Sequence, residues 1–264
     1  MLIDVQFNPA RNSWPALRDA TTAAEAAGFG AAWVYDHLAG RSLGGDRMLE
    51  AFTLLGALAA TTTEIGLGTM VANVTNRDPG VLAVAAASVG AIANRPVFLG
   101  IGAGSSPRGR WAAEMHAVGR RIEPTVSGRH AVVERTLDVL DAMWAADRGE
   151  EWDTFPHPHP PPPVIVGLNS VALAELAGRR AGGVNVAWHH PRREELLDAA
   201  SAAFARSGRP GDFALTTWTR WDDALLDPEH EQRRAMAERG IDRLVLAELG
   251  VVQPQRIAGL RPQG

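Results

Sequence analysis

PVFLGIGAGSS, residues 96–106, is the stretch whose reading decides the fold. Val97, Phe98, Leu99 and Ile101 form a short apolar run with one glycine inside it. A run of that kind reads as a strand buried on both faces, as in parallel sheets covered by helices. At its C-terminal end stand Gly102, Gly104, Ser105 and Ser106. Glycines let a backbone approach a ligand closely and serines supply hydroxyls, so a buried strand opening into them is how α/β folds build ligand sites. The same residues also suit a tight strand-to-helix turn with no ligand, and the flanking chain weighs between the two.

Working outward, strands are expected at Leu2–Phe7, Ala31–Tyr35 and Ile65–Val71 before this stretch. Others follow at Val164–Val166, Val184–Ala187, Phe213–Trp218 and Arg243–Ala247. Helical segments separate them. Ser13 with Pro15 opens one that Gly28 closes, Asp46–Ala60 forms the next, and Asp78-Pro79 opens a third that runs to Ile92; a capping side chain followed by proline is a helix-start signature. Arg108–Gly119 reads as an irregular helix, and Ser127–Trp144 as a long one with Val133, Leu137, Leu140 and Trp144 at helical spacing. Ser170 caps a helix to Ala181, and further helices span Pro191–Ser207 and Asp227 to Gly240. Residues 147–163 are polar and end in PHPHPPPP (156–163), a stiff extended connector. The tail after Ala247 carries Pro254, Pro262 and Gly264 and reads as loosely held. Strict alternation with right-handed crossovers gives a parallel sheet, and eight units close it. The prediction is an α/β protein, one (β/α)8 barrel domain over residues 1–264 with shortened insertions.

Composition narrows the chemistry. The chain has 264 residues, 46% hydrophobic and 21% charged, with a net charge of −4, so it carries no general basic field for nucleic acid. All 26 basic residues are arginine, which excludes a lysine Schiff base and a P-loop lysine. With no cysteine, thiolate metal sites, disulfides and cysteine nucleophiles are excluded as well. The N-terminus has Asp4 within its apolar part and no basic start, which does not read as a signal peptide. No membrane span is expected, and the cytoplasm is the expected location.

In such barrels function sits at the C-terminal ends of the strands. That rim is Asn8, His37, Asn73, Ser105 and Ser106, Asn169 and Ser170, His189 and His190, Arg220 and Glu248. Trp188, Trp218 and Trp221 add flat apolar surface, a mixture suited to a planar aromatic ligand with polar edges. Each candidate has a plainer reading. Asp36-His37 could be a local cap, and Gly167–Ser170 either a turn or, with free N–H groups at a helix start, a phosphate site. His157 and His159 lie in the proline connector with no carboxylate clustered beside them. His189 and His190 are adjacent, so their side chains diverge. No metal site is expected. Arg108–Arg110 and Arg120–Arg121 read as a solvated face rather than as partners of an anionic cofactor tail.

AAWVYDH (31–37), TTTEIGLGTMVANVTNRDPGVLA (61–83), VFLGIGAG (97–104) and VIVGLNS (164–170) resemble, in order, segments of the luciferase-like monooxygenases, a superfamily of flavin- and deazaflavin-dependent oxidoreductases. The resemblance implies a TIM barrel holding coenzyme F420, or alternatively FMN, and a small-molecule substrate. It implies His37 as the catalytic group beside the reactive ring, with Met70-Val71 as a bulge backing that ring, often through a non-prolyl cis peptide. Asn73 and the Gly102–Ser106 loop (Gly102, Gly104, Ser105) would contact ring and side chain, and Gly167, Leu168, Asn169 and Ser170 would hold the phosphate. A homodimer is also in keeping with it. The chain departs from the deazaflavin sugar-phosphate dehydrogenases of the family in two ways: Ser105 stands where they have glutamate, and no lysine is available to grip a phosphate. Its short connector lacks a lid that would shield a flavin hydroperoxide from water. Hydride transfer with F420 is therefore favoured over an FMN-dependent monooxygenase. A non-catalytic flavin-binding barrel and a cofactor-free hydrolase using His37 with Asp36 or Glu248 are the competing readings.

Overall fold

The computed structural model describes residues 1–262. Eight parallel strands close into a barrel in sequence order. They are β1 (Leu2–Phe7), β2 (Ala31–Val34), β3 (Gly66–Asn73), β4 (Val97–Gly102), β5 (Val164–Gly167), β6 (Gly183–Ala187), β7 (Ala214–Arg220) and β8 (Arg243–Glu248). Around them run α1 (Trp14–Ala27), α2 (Ala51–Thr61), α3 (Pro79–Ala93), α4 (Ala113–Ala117), α5 (Val126–Trp144), α6 (Val171–Arg180), α7 (Arg193–Ser207), α8 (Glu231–Glu238) and α9 (Pro254–Ala258). The expected barrel is present, with β8 pairing to β1 from Leu2–Arg243 to Phe7–Glu248.

Local chemistry sets the helix ends. Ser13 accepts the Ala16 N–H at the start of α1, and Gly28 ends that helix at φ 92°. Asp78 accepts the Gly80 N–H, with Pro79 as the first residue of α3. Both are caps of the expected kind. Several helices start elsewhere than the sequence suggests: α4 covers only Ala113–Ala117 of the expected Arg108–Gly119, and α7 begins at Arg193 rather than Pro191. Glu50, not Asp46, caps α2 by accepting the Thr53 N–H, because Asp46 is engaged by its neighbour Arg47 on the surface. Thr125 caps α5, two residues ahead of Ser127. Asp227 turns back on the Glu229 N–H, so α8 begins only at Glu231. As far as residue 262 the C-terminal tail is docked rather than loose, since Val252 and Ile257 are buried and α9 packs on α1; Gly264 lies outside the described residues.

Beside a small cluster of Ala112, Met115 and Ile122 in the segment after β4, two apolar clusters divide the barrel. The larger joins the outward faces of the strands, such as Ile3, Val5 and Leu67, to the helices. The smaller fills the barrel with Trp33, Met70, Ile165 and Val245. At the foot of the barrel this interior turns polar. Asp4, fully buried, accepts two hydrogen bonds from Arg243, 2.7 and 2.8 Å, and one from Trp33 Nε1 at 2.9 Å. The Arg243 guanidinium lies 4.7 Å from the Phe98 ring, which stacks on Trp33. Burial pushes the Asp4 carboxyl up, and the charge and hydrogen bonds of Arg243 and Trp33 hold it back. Together these side chains plug the foot.

The proline connector lies at this same end, against Arg95–Phe98 where β4 begins. It therefore cannot act as a lid over the rim: α5 carries the chain down the outside of the barrel, and the return to β5 is made at the foot. Among the described residues no helix is long and apolar enough to cross a membrane.

Candidate active site

A cavity of about 450 Å³ opens at the C-terminal ends of the strands, within the usual range for ligand pockets. Its floor includes Gln6 and Met70. Gln6 Nε2 donates to the Met70 carbonyl at 2.5 Å, which ties β1 to β3 where β3 departs from regular pairing. The Met70–Val71 peptide is cis, and the β3–β4 register shifts between Thr69 and Ala72. Two glycines of the opening stretch serve this irregularity. A Cβ on Gly102 would come within 2.6 Å of Val71 Cγ2. Gly104 has φ +71°, and a Cβ there would lie 2.7 Å from Asn73 Oδ1. Both line the cavity, yet the need for glycine arises from the chain's own packing.

His37 stands on the loop after β2. Its Nδ1 lies 2.8 Å from Glu114 Oε1, and Glu114 Oε2 accepts the N–H groups of Leu38 and Ala39 at 3.1 and 3.0 Å. Burial works against the Glu114 charge, but the His37 hydrogen bond and charge and the two backbone donors outweigh it. The carboxyl is held below its usual range. A carboxylate can only accept, so Nδ1 carries a proton and Nε2 is the position left for the cavity. Trp111 covers the imidazole at 4.9 Å between centroids, and Arg110 stacks 4.0 Å over Trp111.

Asp36 is not the partner of His37. Its buried carboxylate takes both Arg77 nitrogens at 2.7 and 2.9 Å and the Asn73 N–H at 2.9 Å. Arg77 also reaches Glu50. This ion pair fixes the end of β3 beside the bulge. Asn73 Oδ1 is occupied by the N–H and hydroxyl of Thr75, so its amide Nδ2 is the group available to a ligand.

Of the expected residues, His37, Met70, Val71, Asn73, Gly102 and Gly104 line the cavity, as do Ser105, Gly167, Leu168 and Asn169. Ser170 stands outside the wall. Its hydroxyl caps α6 on the Leu173 N–H and meets His130 Nε2 at 3.3 Å. Asn8 spends its amide on Leu43 and Leu249 carbonyls, and Glu248 accepts the Gly250 N–H. Both are loop fasteners. His157 bonds the Trp144 carbonyl at the foot, and among the described residues no cluster of three or more potential metal ligands occurs. Arg120 bonds the Asn76 carbonyl. The cavity also gathers His190 from the expected rim, and Gln6, Trp111, Glu114 and Asn185, none of which is marked as a site residue by a local motif. Glu114 lies 77 positions from His37; only its place in the irregular segment after β4 hinted at it.

Comparisons with known proteins bear on the family and the fold. A relative from Beutenbergia cavernae named F420-dependent glucose-6-phosphate dehydrogenase is 30% identical, covering 92% of this chain and 75% of that one. One of the same name from Segniliparus rotundus is 31% identical over 67% of this chain and 53% of that protein. The chain thus spans between about half and three quarters of the length of these curated relatives. Among solved structures, the coenzyme F420-dependent tetrahydromethanopterin reductase of Methanopyrus kandleri superposes with a TM-score of 0.74 at 14% identity, covering 97% of this chain and 96% of that one. The pattern of the luciferase-like monooxygenases matches residues 3–253, from the first strand of the barrel to the edge of its last helix, and the chain belongs to that family.

Proposed function

We propose that the protein is an oxidoreductase that passes hydride between coenzyme F420 and a small organic molecule in the rim cavity. The observation that carries this reading is His37 held by Glu114 with Nε2 left for the cavity, beside a wall able to take a flat ring. Met70, Val71, Asn73, Gly102, Gly104 and Ser105 would bear on the ring. The turn Gly167–Asn169 leads into α6, whose first N–H groups have no intrahelical acceptor and favour an anion. No carboxylate lies within 167–170, so the phosphate of such a cofactor is accommodated there. Bound in this place, F420 would supply a ring carbon that takes or gives hydride. His37 Nε2 takes or returns the proton that accompanies it, Glu114 keeps the imidazole in one tautomer and orientation, and Trp111 screens the pair from water. We also place this work in the cytoplasm, where a diffusible redox cofactor is held and recycled.

Titration with F420, followed by quenching of its fluorescence, tests the reading: saturable binding is expected, and binding of FMN in its place would turn it toward flavin chemistry. Asn169→Asp adds a negative charge beside the α6 N-terminus at constant size. It favours the helix and opposes the phosphate, so F420 affinity is expected to fall roughly 10-fold, the worth of about 1.4 kcal/mol. Unchanged affinity would move the phosphate elsewhere.

We further propose a homodimer through α2 and α3. Neither helix contains a charged residue. Val81 and Ile92, on one face of α3 at i and i+11, are 59% and 56% exposed, an unusual stripe for a surface helix. The double variant Val81→Glu/Ile92→Glu is expected to elute and scatter light as a monomer with an unchanged circular dichroism spectrum. A wild type that is itself monomeric would end this proposal.

A further inference from the structure

We propose that residues 105–122 form a gate over the rim cavity, one small body that swings on Gly104, and that Arg110 is the positioning residue that latches it. Shut, the gate brings Glu114 to His37; open, it parts them. Among the described residues the backbone hydrogen bonds of this segment close within it, as in Gly109 to Ser106, Ala112 to Gly109 and Arg120 to Met115. Its apolar side chains do the same. Ala112, Met115 and Ile122 bury one another in a cluster apart from both barrel cores, and no helix or strand shares a broad contact with α4. A stretch that satisfies its own backbone and covers its own core opens as a unit, because few contacts with the remainder have to break. Its ends suit a hinge. Gly104, at φ +71°, has the conformational range of glycine. At the other end Arg129, buried in α5, donates to the Glu123 and Pro124 carbonyls at 3.1 and 3.2 Å and pins the pivot.

What the body rests on is the loop after β2. Glu114 meets His37 Nδ1 and accepts the Leu38 and Ala39 N–H groups. Four residues earlier, Arg110 Nη2 donates to the Ser42 carbonyl at 3.0 Å, and the Ser42 hydroxyl donates to the Arg110 carbonyl at 3.4 Å. The Arg110 guanidinium also lies on Trp111, whose ring covers His37. One further bond, from Arg120 to the Asn76 carbonyl, lies near the pivot. Parting the two segments therefore separates His37 from its carboxylate, lifts the indole away, and returns a Glu114 side chain that is 3% exposed to water. The His37–Glu114 pair is thus assembled by closure and is not a fixed feature of the barrel. Ser105, Trp111 and Glu114 line the cavity, and the foot is plugged by Asp4 and Arg243. A molecule then comes and goes through the rim, past this wall. The gate itself needs no cofactor, whereas its effect on cofactor exchange rests on the functional reading above.

Hydrogen–deuterium exchange of the full chain, read by mass spectrometry without any ligand, tests the gate. The Leu38 and Ala39 amides are the reporters, since their acceptor, Glu114 Oε2, rides on the other segment. They are expected to exchange in step with the α4 amides, at least ~100-fold faster than the amides of β3 and β4, as in a sub-global opening. Arg110→Ala should speed both sets by a common factor of about 10 and leave β3 and β4 unchanged. Arg110→Lys, which keeps a cation and a donor beside Trp111, should recover most of the difference. Stopped-flow mixing with F420, followed by fluorescence quenching, reads the gating. Arg110→Ala is expected to accelerate association and release together by roughly 10-fold, with affinity changed less than ~3-fold. If F420 does not bind, the functional reading fails and the exchange result alone decides whether the segment opens as one body. The gate is overturned if the α4 amides are as protected as the strands, or if Leu38 and Ala39 exchange out of step with them. It is likewise overturned, with the functional reading intact, if F420 binds and its rates are the same in wild type and Arg110→Ala.

Discussion

His37→Gln is expected to lower turnover by at least ~100-fold while changing F420 affinity less than ~10-fold. Glutamine keeps a hydrogen-bonding side chain at the rim and cannot carry the proton, so it separates chemistry from binding. Steady-state kinetics with a fluorescence titration on the same preparation read both numbers. Loss of affinity with turnover kept would make His37 a binding residue only. Glu114→Gln is the companion. Because the native carboxyl is held below its ordinary range, its contribution to stability is present above the unfolded carboxylate pKa, about 4.5. It is lost as pH falls through the lower folded value. The glutamine variant removes the carboxylate that fixes the imidazole's tautomer and orientation, so turnover should fall roughly 10-fold with F420 affinity little changed. A purely structural role for Glu114 would lower stability and leave the turnover of the folded fraction unchanged.

Arg243→Leu is expected to cost about 3–5 kcal/mol of stability, because it leaves the Asp4 carboxylate buried without its counter-charge, held only by neutral donors such as Trp33 Nε1 and the Ala31 backbone. In a chain of this size that corresponds to a fall of roughly 10 °C in Tm. Thermal and urea unfolding of the variant check it. Asp4→Asn in the same background removes the stranded charge and is expected to restore part of the loss. A single variant as stable as wild type would show that water reaches Asp4 and that the foot is not sealed. The cofactor site, on the far side of Gln6 and Met70, gives a second reading through F420 affinity in the folded fraction.

The barrel was legible in the sequence because each strand ended in a physical signal: the Gly28 turn, Asp78-Pro79, the glycines after Ile101, Ser170 before α6. Strand order follows from such alternation, whereas register, with its shift between Thr69 and Ala72 in the β3–β4 pair, does not. The β2, β3, β4 and β5 ends of the site were legible for the same reason, since each is a local motif in a known position on the rim. What stayed hidden was pairing. Asp36 and His37 are neighbours in sequence, yet one is claimed by Arg77 and the other by Glu114. Nothing in a window of ten residues states such a choice. Gly102 and Gly104 line the cavity as expected, and the close packing of Val71 and Asn73 against them gives a second reason for glycine that no local window shows. Proline runs announce stiffness and not position, so the connector's place at the foot had to come from the direction of α5.

The plugged foot makes the cavity a cul-de-sac. A molecule resting on Gln6 and Met70 has no exit below it, since Asp4, Arg243, Trp33 and Phe98 close the barrel there. Two reactants that share such a chamber are stacked in time as well as in space: the deeper one arrives first and departs last, and the shallower one comes and goes over it. For the reaction proposed, compulsory order in turnover would then be set by the masonry at the far end of the barrel, by residues that touch neither reactant.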